Sequence, residues 1–264
     1  MGRSFAAALI LLLGVSPGRA DQPSVTWMQA DTPPFHIGGG PQTGLGIKDR
    51  QYHFLAGHLP QFRHHLLVAS VARNWYAIEH SDGVCIIGVA STAEREKFTL
   101  FSQRRLTGFG SRLIIRRDSS ARFAKFLDPQ GEVDLGALSR STDLAGGFVS
   151  MLHYAEPIGA FIDDPNRTAR LDKFVTPPQL FNVLKAGRVD YVFGQPIEAA
   201  YYAPGDLKAL PIKGTGGLGG GLGIGCSNGE IGRAVIKAID ALLADDQMWA
   251  EYIRPYGDWS LGGN

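Results

Sequence analysis

The apolar positions along this chain change period several times, and each change marks an element. Val25 to Met28 is a short run of β type. It stops at Asp31-Thr32-Pro33-Pro34-Phe35, where two prolines bar a helix and impose an extended loop. Loop continues through Gly38-Gly39-Gly40-Pro41 and Gly44-Leu45-Gly46. From Asp49 to Leu59 the apolar residues Tyr52, Leu55 and Leu59 recur at spacings of three and four, which predicts a helix halted by Pro60. His64 to Ser70 predicts a second strand and Val71 to Glu79 a second helix. After Gly83, Val84-Cys85-Ile86-Ile87 is the continuous apolar run of a strand buried on both faces. The order so far is β, α, β, α, β.

A second unit begins beyond Ser102. Arg112-Leu113-Ile114-Ile115-Arg116 predicts a strand, Leu135 to Leu138 a short helical piece, and Gly147 to Met151 another strand. Pro178 to Ala186 carries Leu180, Phe181 and Leu184 at helical spacing, Gly187 ends that helix, and Val189 to Phe193 follows as a strand. This helix, turn and strand echo residues 71–87. Eight glycines fall between Gly214 and Gly225, a connector leading into Leu222-Gly223-Ile224. Ile231, Val235, Ile236, Ile239, Leu242 and Leu243 then form the apolar stripe of one long helix. Alternating strands and helices in two similar units, with a segment that returns near the end, predict an α/β protein of two lobes with parallel sheets. A small ligand belongs in the cleft between them.

Composition narrows the class. With 264 residues and 44% apolar content, the chain can bury sizeable cores, which excludes a disulfide-stapled miniprotein and a disordered chain. Its 26 Lys and Arg against 25 Asp and Glu form no long charged run, so nucleic acid is not an expected partner. Arg3, the apolar stretch Phe5 to Val15, and Gly18-Arg19-Ala20 read as a secretory signal cleaved after Ala20. That stretch falls short of the roughly 20 apolar residues needed to cross a bilayer, and no cysteine stands directly after it to carry a lipid. The expected location is the periplasm. In an oxidising compartment Cys85 and Cys226 can bridge, yet two apolar-flanked cysteines can equally be separate core residues.

The stretch Gly88-Val89-Ala90-Ser91-Thr92-Ala93-Glu94-Arg95-Glu96-Lys97, followed by Phe101-Ser102, resembles the signature of the family 3 extracellular solute-binding proteins of polar amino acid type. Pro33-Pro34-Phe35 resembles that family's first loop, Gly187-Arg188-Val189-Asp190 its helix-to-strand turn, and Ile231 to Leu243 its C-terminal helix. The likeness extends over most of the chain beyond the leader. It implies the two-lobed periplasmic binding protein type II fold, each lobe a mixed, mostly parallel sheet flanked by helices. Residues 21–106 and 219–264 would form lobe 1 and residues 107–218 lobe 2. Hinge crossovers are expected near Arg105 to Phe109 and Thr215 to Gly220, where glycine absorbs dihedral change. The resemblance also sets the strand before Gly88 antiparallel to the returning strand, so that Cys85 faces Cys226 and a disulfide follows.

In the family the arginine of this segment grips the ligand's α-carboxylate, and Arg95 stands at that position. A guanidinium suits the task because its parallel donors match a carboxylate fork and it keeps its charge. The competing reading pairs Arg95 with Glu94 or Glu96. Gly88 would let a ligand approach the backbone, Thr92 would offer a hydroxyl, and Ala90 replaces a usual hydroxyl residue. Two departures matter more. Gln29, six positions before Phe35, and Gln195, in Gly194-Gln195-Pro196, stand where the family places the carboxylates that hold an ammonium. A buried ammonium without a counter-charge is strongly disfavoured, so an anionic or neutral polar ligand with an acidic group fits better than a zwitterion. Ser150, His153 and Tyr154 align with the contact loop of the second lobe, and Trp27 would supply an aromatic wall.

Other constellations carry less. His53, His58, His64 and His65 lie close in sequence, but their spacing points them apart on a helix and a strand, so no metal site is expected. Glu94, Glu198 and His153 are the nearby groups for acid–base chemistry on this clamshell, which also hosts a dehydratase. The chain lacks Gly-x-Ser-x-Gly, His-Glu-x-x-His and a phosphate loop. The resulting expectation is a monomeric exported binding protein, not an enzyme and without cofactor, that closes on a small polar or anionic ligand. Its partner would be a membrane permease or, alternatively, a membrane receptor.

Overall fold

The computed structural model describes residues 22–107, 110–215 and 221–260, so the leader expected over residues 1–20 and parts of both expected hinges lie outside the described residues. The first unit runs β1 (Ser24–Gln29), α1 (Ile47–His58), β2 (Arg63–Val68), α2 (Val71–His80), β3 (Val84–Ala90), α3 (Ala93–Glu96) and β4 (Thr99–Phe101). The second runs β5 (Arg112–Arg116), α4 (Ser120–Phe123), α5 (Leu135–Leu138), β6 (Ala145–Val149), α6 (Ile158–Asp163), β7 (Arg170–Phe174), α7 (Pro177–Lys185), β8 (Tyr191–Gly194), α8 (Pro196–Tyr202) and β9 (Leu207–Leu210). The chain then returns through β10 (Leu222–Ser227), α9 (Glu230–Leu243) and α10 (Asp246–Ser260).

Two five-stranded sheets result, ordered β2-β1-β3-β10-β4 and β7-β6-β8-β5-β9. In each, three strands pair in parallel and a fourth runs antiparallel to the neighbours on both of its sides: β10 in the first sheet, β5 in the second. The parallel character suggested by the alternating elements therefore covers half of each sheet. The antiparallel half arises because one strand of the first sheet arrives from the far side of the second. Leu106 and Leu222, where the chain leaves and re-enters the first sheet, bridge each other through paired 2.8 Å backbone hydrogen bonds.

The apolar run of β3 explains its central place. Cys85 and Ile87 enter a core under α1, α9 and α10, whereas Val84 and Ile86 face the opposite layer under α2. A strand whose alternate side chains feed two layers must be apolar at every position. In the second sheet Ile114 and Val192 pack under α7 and α8, while Leu113, Ile115, Tyr191 and Phe193 face the opposite core. Cys85 and Cys226 stand directly opposite in the β3–β10 register, with Cα atoms 4.1 Å apart, and are joined as a disulfide.

Helix α9 begins at Gly229, which has no side chain to satisfy the free amides of the first turn. Asp82 does so: Ile231 N–H, 149 residues further along the chain, donates to Oδ2 at 2.9 Å and Gly232 N–H to Oδ1 at 3.0 Å. Desolvation pushes this carboxyl up, but the hydrogen bonds from Ile231, Gly232 and Gly83 outweigh it and hold the pKa below the usual value. Asp82→Ala is expected to cost about 1–2 kcal/mol, the usual value of an N-cap, in urea unfolding at pH 7. An unchanged midpoint would reject the capping role.

Candidate ligand-binding cleft

The carboxyl ends of β1 and β3 from the first sheet face the ends of β6 and β8 from the second across a cleft of about 170 Å³. That is room for a small metabolite.

Arg95 is the best-defined group in it. Thr92 caps the single turn α3, its hydroxyl accepting from Arg95 N–H at 3.3 Å, which sets the direction in which the arginine leaves the backbone. The guanidinium donates from Nη1 to the Ala90 carbonyl at 2.9 Å and lies 4.1 Å from the centroid of the Trp75 ring, a cation–π contact. Its acidic neighbours are otherwise engaged. Glu94 pairs with Lys97 at 2.7 Å, and Glu96 accepts from the Ser91 hydroxyl. Among the described residues no carboxylate pairs with Arg95, and burial lowers its pKa from the usual value. The guanidinium is thus a cation with open donors facing the cleft.

Gly88, Ala90, Gln29, His153, Tyr154 and Gln195 also line the cleft. Gln29 is 2% exposed; its Nε2 donates to the Lys48 carbonyl at 3.3 Å, and its Oε1 is buried with no partner among the described residues. Gln195 Oε1 is likewise buried and unpartnered. His153 has its pKa lowered by burial and then by the charge of Arg95. Tyr154 contributes its ring, because its hydroxyl already accepts from Val149 N–H at 3.0 Å.

Three residues expected at the site are placed elsewhere. Trp27 is fully buried in the core between β1 and α1, stacks on His64 and donates from Nε1 to His64 Nδ1 at 2.9 Å, so it forms no cleft wall. The aromatic lining comes from Phe35, Trp75, Tyr154, Phe193 and Tyr256. Thr92 acts as the cap of α3, and Ser150 sits in the turn after β6, its N–H donating to the Phe174 carbonyl at 3.0 Å, with neither on the lining. The clustered histidines are dispersed as well: His64 is held by Trp27 and by the Leu59 carbonyl, and His58 bonds the Phe54 carbonyl. Among the described residues no three His, Cys, Asp or Glu gather as a metal site.

The structure adds Lys48, Asn74 and Trp75, which no sequence motif marks, and brings in Glu198, in the sequence a candidate acid alone. Lys48 lies over Gly88: a Cβ at that glycine would stand 3.0 Å from Lys48 Cε and 3.6 Å from Nζ, and the backbone there has φ +64°, which favours glycine. Burial pushes Lys48 down to about 8, against a smaller opposing effect of Asp49, whose carboxylate is turned to His36, Ile37 and Gly46. Glu198 is 6% exposed, accepts from Gln195 N–H at 2.7 Å, and is pushed up to about 7 by burial. Asn74 is 3% exposed, with Oδ1 unpartnered among the described residues.

No family model matches the sequence, and no curated protein matches it. Solved structures do match. The crystal structure of the ancestral amino acid-binding protein AncCDT-1, a precursor of cyclohexadienyl dehydratase, is 18% identical with TM-score 0.65, covering 89% of this chain and 94% of that one. The amino acid ABC transporter substrate-binding protein AbpA of Streptococcus pneumoniae bound to L-arginine is 16% identical with TM-score 0.66, covering 92% and 97%. A histidine kinase sensor domain with similarity to periplasmic binding proteins is 15% identical with TM-score 0.65, covering 90% and 96%. Two mixed five-stranded sheets facing across a cleft, matched over nine-tenths of the chain, give this protein the two-lobed periplasmic binding protein type II fold.

Proposed function

We propose that the chain is an exported, periplasmic solute-binding protein that closes on a small polar, carboxylate-bearing ligand and delivers it to a membrane transporter. The observation that carries this reading is Arg95: a cleft-facing guanidinium, steadied by Trp75 and the Ala90 carbonyl, with both adjacent glutamates engaged elsewhere. Lobe 1 would comprise residues 21–106 and 219–264 and lobe 2 residues 107–218, hinged where Leu106 and Leu222 meet. The transporter-linked neighbour supports delivery, and the disulfide suits an oxidising compartment after export of residues 1–20 as a signal. The sensor-domain neighbour supports a second reading, in which the closed form signals to a membrane receptor. Neither reading includes a catalytic step.

Thermal-shift and calorimetric titration with a panel of small carboxylates tests this. At least one should bind saturably, and a ligand at a hundred times its Kd stabilises by about 2.7 kcal/mol. Arg95→Ala should weaken the best binder about 30-fold, the cost of removing one partner of a desolvated charge pair, with little change in the unliganded unfolding midpoint. Affinity that survives this substitution, or turnover of the bound compound, overturns the reading.

A further inference from the structure

Lobe 1 brings two cations to the cleft, and only one is explained by a single carboxylate. We infer that Lys48 is a second anion subsite and that the ligand is a dicarboxylate of four or five carbons, one acid held by Arg95 and the other by Lys48. This rests on the reading of the cleft as a carboxylate site.

The geometry begins with β3. Lys48 lies over Gly88, and Arg95 bonds the carbonyl of Ala90, two positions further along the same strand. β3 bulges at this point, so its faces do not simply alternate, but two residues of extended chain span at most roughly 7 Å, which keeps the two strand positions close together on the cleft lining. Two carboxylates joined by two or three carbons span such a separation, with each oxygen pair reaching one cation. Among the described residues the Lys48 ammonium has no hydrogen bond or ion pair; Asp49, the acid that acts on its charge, is turned to His36 and two backbone amides. Glu198 lines the same cleft but makes no ion pair with Lys48, and a half-buried ammonium with no direct protein partner is costly unless a ligand supplies one. Its other neighbours are the Phe35 ring, 5.9 Å away, and the side chain of Tyr256.

The remaining polar groups fit the carbon chain between the acids. Gln29 Oε1 and Asn74 Oδ1 are buried acceptors without partners, and a hydroxyl or amino substituent on that chain would donate to them. A zwitterion with one carboxylate would instead bring its ammonium beside Lys48, with Gln29 offering no charge to offset the repulsion.

Isothermal titration with the whole protein tests the inference with succinate, glutarate and malate as probes, butyrate as the single-acid control, and inorganic phosphate as a compact anion. At least one dicarboxylate should bind ten times more tightly than butyrate. Lys48→Met and Lys48→Gln should each bring that dicarboxylate down to the affinity of butyrate while changing butyrate itself less than twofold, and Arg95→Ala should weaken both. Butyrate binding as well as the dicarboxylates, equal weakening of both by the Lys48 variants, or phosphate as the tightest ligand overturns the second subsite and leaves the Arg95 site standing. If no carboxylate binds at all, the carboxylate reading of the cleft fails and this inference with it.

Discussion

Removing the Cys85–Cys226 bridge, by reduction or by the double substitution Cys85→Ala with Cys226→Ala, is expected to lower unfolding free energy by about 5 kcal/mol. The size follows from the chain. The bridge joins residues 141 apart, so its loss frees most of the unfolded chain from a single closed loop. It also binds β10 to β3 at the middle of the first sheet, on the strand that carries the chain back from the second. Guanidinium unfolding with and without reductant measures the effect. Hydrogen exchange adds location: amides of β10 and β4 should exchange faster on reduction, while those between β6 and β8 should change little. Equal midpoints for the bridged and reduced protein would reject the estimate.

Elements whose packing demands an unmixed pattern were legible in the sequence. β3 reads as a strand because both of its faces are buried, and α9 as a helix because one stripe, Val235, Ile236, Ile239 and Leu243, meets the core. β7 and β9 were not legible: Arg170-Leu171-Asp172-Lys173-Phe174 and Leu207-Lys208-Ala209-Leu210 lie at the two outer positions of their sheet, where solvent admits charge and breaks the apolar run. The turn of α8 hides behind Pro196, which suits a first helical turn as well as it suits a loop. The cleft divides along similar lines. Arg95, Gly88 and Ala90 follow one another along β3 and α3, so one motif carries them together. Lys48 and Asn74 reach the cleft from the faces of two separate helices, and which face points inward depends on packing that no local spacing records. Trp27 misled because its large ring suits a ligand wall and a core equally; the register of β1 between β2 and β3 places it opposite Leu66 and Cys85, deep in the layer.

Glu198→Gln is expected to stabilise the unliganded protein at pH 8 by about 3 kcal/mol and to change it little at pH 4 to 5. The carboxyl sits in the first turn of α8, close to Gly194 and to the phenols of Tyr154 and Tyr202. It accepts one hydrogen bond, from Gln195 N–H, and has no cation partner among the described residues. Burial is the largest influence and raises its pKa from 4.5 to about 7; the Gln195 hydrogen bond opposes this only in part. Because the folded state holds its proton more tightly than the unfolded state, the contribution to stability is full below the unfolded pKa near 4.5. It declines as pH rises and is lost through about 7, where the folded carboxyl ionises. Glutamine keeps the acceptor for Gln195 N–H and cannot ionise, so the variant should lack this decline. Urea unfolding at pH 5 and pH 8 separates the cases, since an equal difference at both values would mean that packing, not ionisation, sets the effect. The same charge bears on the cleft. An ionised Glu198 repels an anionic ligand that the neutral acid can tolerate or hydrogen-bond, so affinity for a single carboxylate such as butyrate should fall between pH 6 and 8 in the parent and fall much less in Glu198→Gln.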